Sequence, residues 1–213
     1  MSEPAPSPGI RPILLAAGRS SRFEGAHKLL ATIDGRSVVA LAARALVDAG
    51  LGRPLVVLGA RAEEVGAALG RELAGSVDLV TNPEFESGMG GSIALAARLV
   101  SEGEAVLIAL ADMPLLPAAD HRAVAEALGT EPLAVARGRA EGRPGHPVAF
   151  GPAWRRRLAE LSGDRGAASL LGDARVSWVD LDPVTQLDVD THEALEEARA
   201  IAASVSRRRP RPL

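Results

Sequence analysis

Three short segments of this 213-residue chain carry side chains suited to handling a polyphosphate. Ala17-Gly18-Arg19-Ser20-Ser21-Arg22 places one glycine, two hydroxyls and two guanidinium groups directly after an apolar run. Backbone N–H groups approach an anion closely at a glycine, and arginine presents forked donors to phosphate oxygens. The common phosphate loops, GxxxxGKS/T and GxGxxG, are both missing here. Lys28 follows at a distance that can return its ammonium over the same phosphates. The competing reading is a polar surface loop with an incidental lysine. Lys28 is nevertheless the sole lysine among 24 basic residues, as Asn82 is the sole asparagine and Gln186 the sole glutamine.

The other two segments supply carboxylates. Asp112, in Ala111-Asp112-Met113-Pro114, follows the most apolar run of the chain, Ala105 to Leu110. At the end of a buried strand such a carboxylate enters the ligand crevice, and Mg²⁺ takes one or two protein carboxylates plus phosphate oxygens. Asp ahead of x-Pro also opens turns. Asp188-Val189-Asp190-Thr191 precedes the last helix, where Asp190 with Glu193 matches a capping box with Asp in the Ser/Thr role. One residue can serve as both cap and metal ligand.

Two glycine-rich segments add to these. In Asn82-Pro83-Glu84-Phe85-Glu86-Ser87-Gly88-Met89-Gly90-Gly91-Ser92 the glycines expose backbone donors at a helix start, unless Ser92 is simply an N-cap after a flexible turn. Gly142-Arg143-Pro144-Gly145-His146-Pro147-Val148 fixes a rigid turn that can present Arg143 and His146. Asp164, in Gly163-Asp164-Arg165-Gly166, reads by default as a helix cap. Trp154, Trp178 and the remaining histidines read as packing or surface.

The elements that must position these residues follow from hydrophobic patterning. Continuous apolar runs at 13–16, 54–58, 77–80, 105–110, 133–136, 147–150 and 176–181 read as strands. Helical periodicity covers 38–49, capped by Ser37, then 62–69, 92–100, 118–128 and 191–205. Strands apolar on both sides, alternating with helices, predict one α/β domain with a mostly parallel sheet covered on both faces. In such a sheet, ligands bind at the carboxyl ends of the strands. Residues 1–10 read as a flexible N-terminus, 11–205 as the domain and 206–213 as a basic disordered tail.

Composition narrows the function classes. A net charge of −3 and five aromatic residues argue against a nucleic-acid platform. The absence of cysteine excludes a disulfide scaffold, a thiolate metal site and a Cys nucleophile. No apolar run approaches the roughly 20 residues of a membrane span, and residues 1–12 lack a signal-peptide core. A cytoplasmic protein is expected.

Leu15-Ala16-Ala17-Gly18-Arg19-Ser20-Ser21-Arg22 followed by Lys28 resembles the LAAGxSxR…K signature of the MobA-like nucleotidyltransferases, closest to the molybdenum cofactor cytidylyltransferases. Asp112 stands in the family's GDxP, Asp188 and Asp190 in DxDTPEDL with His192 for Pro, and Gly142–Val148 in GxPGHPV. The stretch from Arg22 to Lys28 is one residue longer than the family's RxGxxK. The resemblance implies a Rossmann-like three-layer sandwich of the nucleotide-diphospho-sugar transferase type. It implies Mg²⁺-dependent transfer of CMP from CTP to the phosphate of molybdopterin, with release of pyrophosphate. A molybdoenzyme or its maturation factor would be a further partner. Catalytic roles would fall to Lys28, Arg22 and Asp112, and metal binding to Asp112 and Asp190. Nucleotide contacts would come from Leu15, Ala16, Ala17, Gly18, Arg19, Ser20, Ser21, Asn82, Gly88 and Ser92. Arg143, His146 and Asp188 would face the acceptor. The alternatives are GTP as donor, a sugar or alditol phosphate as acceptor, or a non-catalytic molybdenum cofactor carrier.

Overall fold

The structure, a computed structural model, describes residues 9–20, 23, 27–172 and 174–208, with 206–208 described by backbone alone. The chain begins with β1 (Ile10–Ala16), β2 (Thr32–Ile33), β3 (Arg36–Ser37), α1 (Val38–Ala49) and β4 (Leu55–Leu58). It continues through α2 (Ala62–Leu73), β5 (Asp78–Thr81), α3 (Met89–Arg98), β6 (Ala105–Leu110) and α4 (Ala118–Ala127). The remaining elements are β7 (Val135–Ala140), β8 (Arg143–Phe150), α5 (Arg155–Ala159), β9 (Val176–Asp180) and α6 (His192–Arg208). Short 3-10 turns cover Lys28–Leu30 and Phe85–Ser87.

Seven strands form one sheet in the order β5-β4-β1-β6-β8-β7-β9. Only β8 runs antiparallel to its neighbours, β6 and β7. The continuous apolar strands are explained by burial of both faces. Leu14, Ala16, Val56, Leu107 and Ala109 pack beneath α1, α2, α4 and α6, while Ile13, Leu15, Val57, Val106 and Ile108 pack beneath α3 and α5. This is the expected mostly parallel three-layer sandwich.

Several boundaries move for local reasons. The chain joins the sheet earlier than expected, because the Ala105 amide donates to the Gly9 carbonyl at 2.8 Å and β1 starts at Ile10. α6 stays helical to Arg208, into the expected tail, where arginine is a good helix former and suits the helix's negative end. The other expected flexible residues, 1–8 and 209–213, lie outside the described residues. The β2–β3 hairpin was not expected. Its turn is Asp34-Gly35 with both residues at positive φ, the geometry of a tight hairpin, but each strand has only two residues. Ser37 precedes α1, yet its Oγ donates to Glu72 Oε1 at 3.1 Å instead of capping the helix.

Candidate active site

β1 and β6 are adjacent and parallel, with Leu15 opposite Leu110 and the Ala111 amide bonded to the Leu15 carbonyl at 3.1 Å. Their register brings the Ala17–Ser20 loop and Asp112 to one edge of the sheet. The Val189 amide donates to the Asp112 carbonyl at 2.8 Å, which draws the Asp188–Asp190 segment alongside. Lys28 enters from the 3-10 turn and is 9% exposed. Its ammonium donates to Asp112 Oδ2 and to Asp190 Oδ1, each at 2.5 Å. Burial works against that charge, but the facing carboxylates, Asp112 foremost, outweigh it and hold the lysine pKa above its ordinary value. Partial burial, reinforced by the charges of Asp112 and Asp190, pushes the Asp188 carboxyl up to about 6.

Asp190 is not the cap of α6. Thr191 fills that role, its Oγ1 accepting from the Ala194 amide at 3.1 Å, which leaves the Asp190 carboxylate for Lys28. Thr191 directly precedes His192, the first residue of α6, so the helix starts one residue later than a cap at Asp190 requires.

Above these charges opens a cleft of about 240 Å³. Leu15, Ala16, Ala17, Gly18, Arg19, Lys28, Gly88, Ser92 and Asp112 line it, joined by Phe85, Glu86, Met89, Leu110 and Asp164. A Cβ built on Gly18 would meet nothing within 4 Å, so the fold itself leaves that position open toward the cleft. His27 holds the loop from below, its Nε2 3.2 Å from the Gly18 carbonyl oxygen, and burial lowers its pKa. Ser20 takes a left-handed backbone with φ 56, and its buried Oγ has no hydrogen-bond partner among the described residues. Phe23 anchors the far side of the loop against the His192 ring, with centroids 4.1 Å apart. Ser21 and Arg22 lie outside the described residues.

Asn82 sits beneath the cleft, 5% exposed, with both ends of its amide engaged. Its Oδ1 accepts from the Glu84 amide at 3.0 Å and its Nδ2 donates to Ser92 Oγ at 3.0 Å. The sole asparagine thereby clasps the turn that carries Gly88 to the helix bearing Ser92. α3 begins at Met89, so Ser92 lies inside its first turn and is not its N-cap. Gly88 and Gly90 are required by close packing. A Cβ on Gly88 would approach the Gly163 carbonyl carbon to 2.4 Å, and one on Gly90 the Arg165 carbonyl oxygen to 2.8 Å. The Gly90 amide donates to the Gly163 carbonyl at 2.8 Å and is already committed within the fold. The same packing carries Asp164 to the cleft wall, where it caps no helix.

The Arg143–Val148 segment forms most of β8 and stands apart from the cleft lining, with Arg143 exposed. Burial, aided by the charge of Arg137, pushes His146 down to about 4, against the opposing pull of a backbone hydrogen bond to Ile108 and of Asp112. Gln186 fixes this histidine's backbone from both sides. Its Oε1 accepts from the His146 amide at 3.0 Å and its Nε2 donates to the His146 carbonyl at 2.8 Å. Gly145 leaves room for that side chain, since a Cβ there would lie 2.0 Å from Gln186 Oε1. The role of Gln186 was signalled in the sequence only by its being the single glutamine. That of His27 had no signal at all.

A divalent metal fits this donor set as a shared ligand of protein and substrate. Asp112 Oδ1 is buried without a hydrogen-bond partner among the described residues, and Asp190 stands across the same ammonium. Among the described residues, no group of three or more His, Cys, Asp or Glu is arranged to hold a metal. Two carboxylates with substrate oxygens completing the shell is the habit of Mg²⁺.

The MobA-like NTP transferase domain model matches residues 12–178. The nicotine blue oxidoreductase of Paenarthrobacter nicotinovorans is 31% identical over 206 residues, covering 88% of this chain and 95% of that protein. A nucleotidyl transferase from Methanothermobacter thermautotroptrophicus superimposes with TM-score 0.80 at 24% identity, covering 92% of this chain and 98% of that one. Rv0371c of Mycobacterium tuberculosis, solved in complex with manganese, superimposes with TM-score 0.75 at 25% identity over 90% of this chain and 98% of its own. No helix among the described residues is long and apolar enough to cross a membrane. With its Lys28–Asp112–Asp190 cluster at the carboxyl edge of the sheet, this chain belongs to the MobA-like NTP transferase family.

Proposed function

We propose that the protein transfers CMP from CTP to the phosphate of a molybdopterin-type acceptor, releasing pyrophosphate, with Mg²⁺ as the metal. The acceptor phosphate is already anionic and needs no general base. A phosphate oxygen attacks the α-phosphorus, a new P–O bond forms, and the bond to the leaving pyrophosphate breaks. The observation that carries this reading is the ammonium of Lys28 buried against Asp112 and Asp190 at the floor of the cleft. Lys28 supplies a compact positive charge where negative charge builds up. The open Gly18 position lets a polyphosphate approach the backbone, with Arg19 at the rim, and Arg22 is assigned to the same phosphates. Asp112 and Asp190 would hold the Mg²⁺, which when bound withdraws charge from the phosphates and orients them. Asn82, Gly88 and Ser92 shape the wall for the nucleoside. Arg143, His146 and Asp188 are assigned to the acceptor side.

The preference for CTP rests on Ala17, a residue of the cleft lining whose side chain is one methyl group larger than glycine and would leave less room for a larger base. The cytidylylated product would pass to a molybdoenzyme or its maturation factor in the cytoplasm.

Pyrophosphate release with each of the four NTPs, with and without molybdenum cofactor, tests the proposal. CTP-selective, cofactor-dependent release is expected. Redox turnover of nicotine blue with no pyrophosphate release from any NTP would instead favour the reaction named for the 31% identical relative.

A further inference from the structure

Ring size at Ala17 bears on cytosine against guanine, but not on cytosine against uracil, whose ring has the same outline. The two pyrimidines differ along one edge. Cytosine presents an amino donor beside an acceptor nitrogen, and uracil a carbonyl acceptor beside an N–H. Telling them apart takes an acceptor and a donor on the cleft wall, since a site built to pair one polar group rejects an isostere that lacks it.

Asp164 supplies the acceptor. Three carboxylates line the cleft, those of Asp112, Glu86 and Asp164. Asp112 faces the Lys28 ammonium at 2.5 Å, and Glu86 lies 3.9 Å from the Arg19 guanidinium. Asp164 has neither an ion pair nor a hydrogen bond among the described residues. Its Oδ1 lies against Gly88, 2.6 Å from where a Cβ on that glycine would stand. Yet α3 receives no side-chain cap hydrogen bond, so the carboxylate does not serve the helix. Gly163 takes a left-handed φ of 62, and its carbonyl accepts from the Gly90 amide, which fixes the Asp164 turn to the start of α3. A carboxylate held this way repels a polyphosphate ligand unless one of the ligand's own donors meets it.

Ser92 supplies the donor. It lines the cleft and is 3% exposed. Asn82 Oδ1 is taken by the Glu84 amide, so the end of the amide facing Ser92 is the NH₂ group and Ser92 Oγ accepts from it. The hydroxyl proton of Ser92 then has no acceptor among the described residues and is left for a ligand. Phe85 and Met89 of the same wall offer apolar contact to a ring.

We propose that Asp164 accepts a hydrogen bond from the exocyclic amino group of the nucleobase while Ser92 donates to the adjoining ring nitrogen, so that the cleft selects an amino pyrimidine over an oxo one. Adenine presents the same two groups on a larger ring, which leaves its exclusion to size. This deepens the transferase reading by naming what separates CTP from UTP, and it rests on that reading for the presence of a nucleotide in the cleft.

Titration calorimetry of the full chain with CTP, UTP and 2′-deoxy-CTP, with Mg²⁺ and without acceptor, reads binding apart from turnover. UTP is expected to bind at least ~10-fold more weakly than CTP. Asp164→Asn, whose amide can turn either its oxygen or its NH₂ to the base, brings UTP within ~3-fold of CTP. Asp164→Ala weakens CTP and 2′-deoxy-CTP by the same ~10-fold and leaves UTP no weaker than before. Equal affinity of the wild-type protein for CTP and UTP overturns the inference without recourse to a variant. A loss in Asp164→Ala that touches CTP and spares 2′-deoxy-CTP also overturns it, because the carboxylate then meets the ribose. Selective binding of CTP over UTP with no pyrophosphate release from any NTP in the presence of molybdenum cofactor overturns the transferase reading and leaves the role of Asp164 standing. Pyrophosphate release by a protein that binds CTP and UTP alike does the reverse.

Discussion

Lys28 Nζ lies 2.5 Å from Asp112 Oδ2 across a sequence separation of 84 residues, and the same ammonium meets Asp190 at 2.5 Å. One cation therefore bridges two carboxylates, one after β6 and one just before α6. A divalent ion entering between them must displace that ammonium, which couples metal entry to the arrival of another partner for the lysine, such as a phosphate.

Lys28→Met is expected to bind Mn²⁺ ~10-fold more tightly than wild type without nucleotide, a difference of about 1.4 kcal/mol. Its turnover falls by ~100-fold or more. Electron paramagnetic titration of free Mn²⁺ reads the first effect, and unchanged or weaker metal binding in the variant would show that the lysine does not hold the metal position. Lys28→Arg also loses turnover, since a planar fork does not replace a compact donor between two carboxylates. Wild-type rates in that variant would reduce the single lysine to a matter of composition.

Asp112→Asn and Thr191→Ala separate chemistry from folding. The first leaves far-ultraviolet circular dichroism unchanged and lowers pyrophosphate release by ~10²–10³-fold. The second removes the cap of α6 and costs ~1 kcal/mol in urea unfolding, with turnover near wild type. Near-normal release from Asp112→Asn would remove its metal assignment.

Gly18→Ala is expected to fold normally, because its new methyl group meets nothing within 4 Å among the described residues. Stabilisation by CTP is expected to shrink, since only an approaching ligand occupies that space. A thermal shift with CTP equal to that of wild type would place the phosphates elsewhere.

The pH dependence follows from Asp188, whose carboxyl is raised from 3.8 to about 6 in the fold. Between those values the folded state holds the extra proton, so this group's stabilising contribution is present below about 4 and is lost as pH rises through about 6. Asp188→Asn, with chelator present, therefore raises Tm at pH 7.5 relative to wild type and not at pH 3.5. An equal gain at both values would trace the effect to packing.

Much of this was legible in the sequence because it is local. Strands buried on both faces must be apolar throughout, so the continuous runs at 13–16, 54–58 and 105–110 identified the central sheet, and the residues after each strand marked the edge that carries the candidate site. The boundaries that moved depended on distant neighbours. α3 started early because Gly88 packs on Gly163, and β1 started early because Gly9 pairs with Ala105; α1 kept its bounds, but Ser37 gave its hydroxyl to Glu72.

By itself the sequence determined the main strand–helix alternation, the Gly-Arg-Ser loop after the first strand, the lone Lys28, and the aspartates after β6 and before the last helix, because each depends on residue types within a few positions of one another. Only the tertiary structure decided the pairings. It set Lys28 between Asp112 and Asp190, made Asn82 a clasp on Ser92 and Gln186 a brace on His146, and packed Asp164 against Gly88. The reason is physical: strand register and close backbone approach act between segments tens of residues apart, and no local pattern encodes which distant partner a side chain meets.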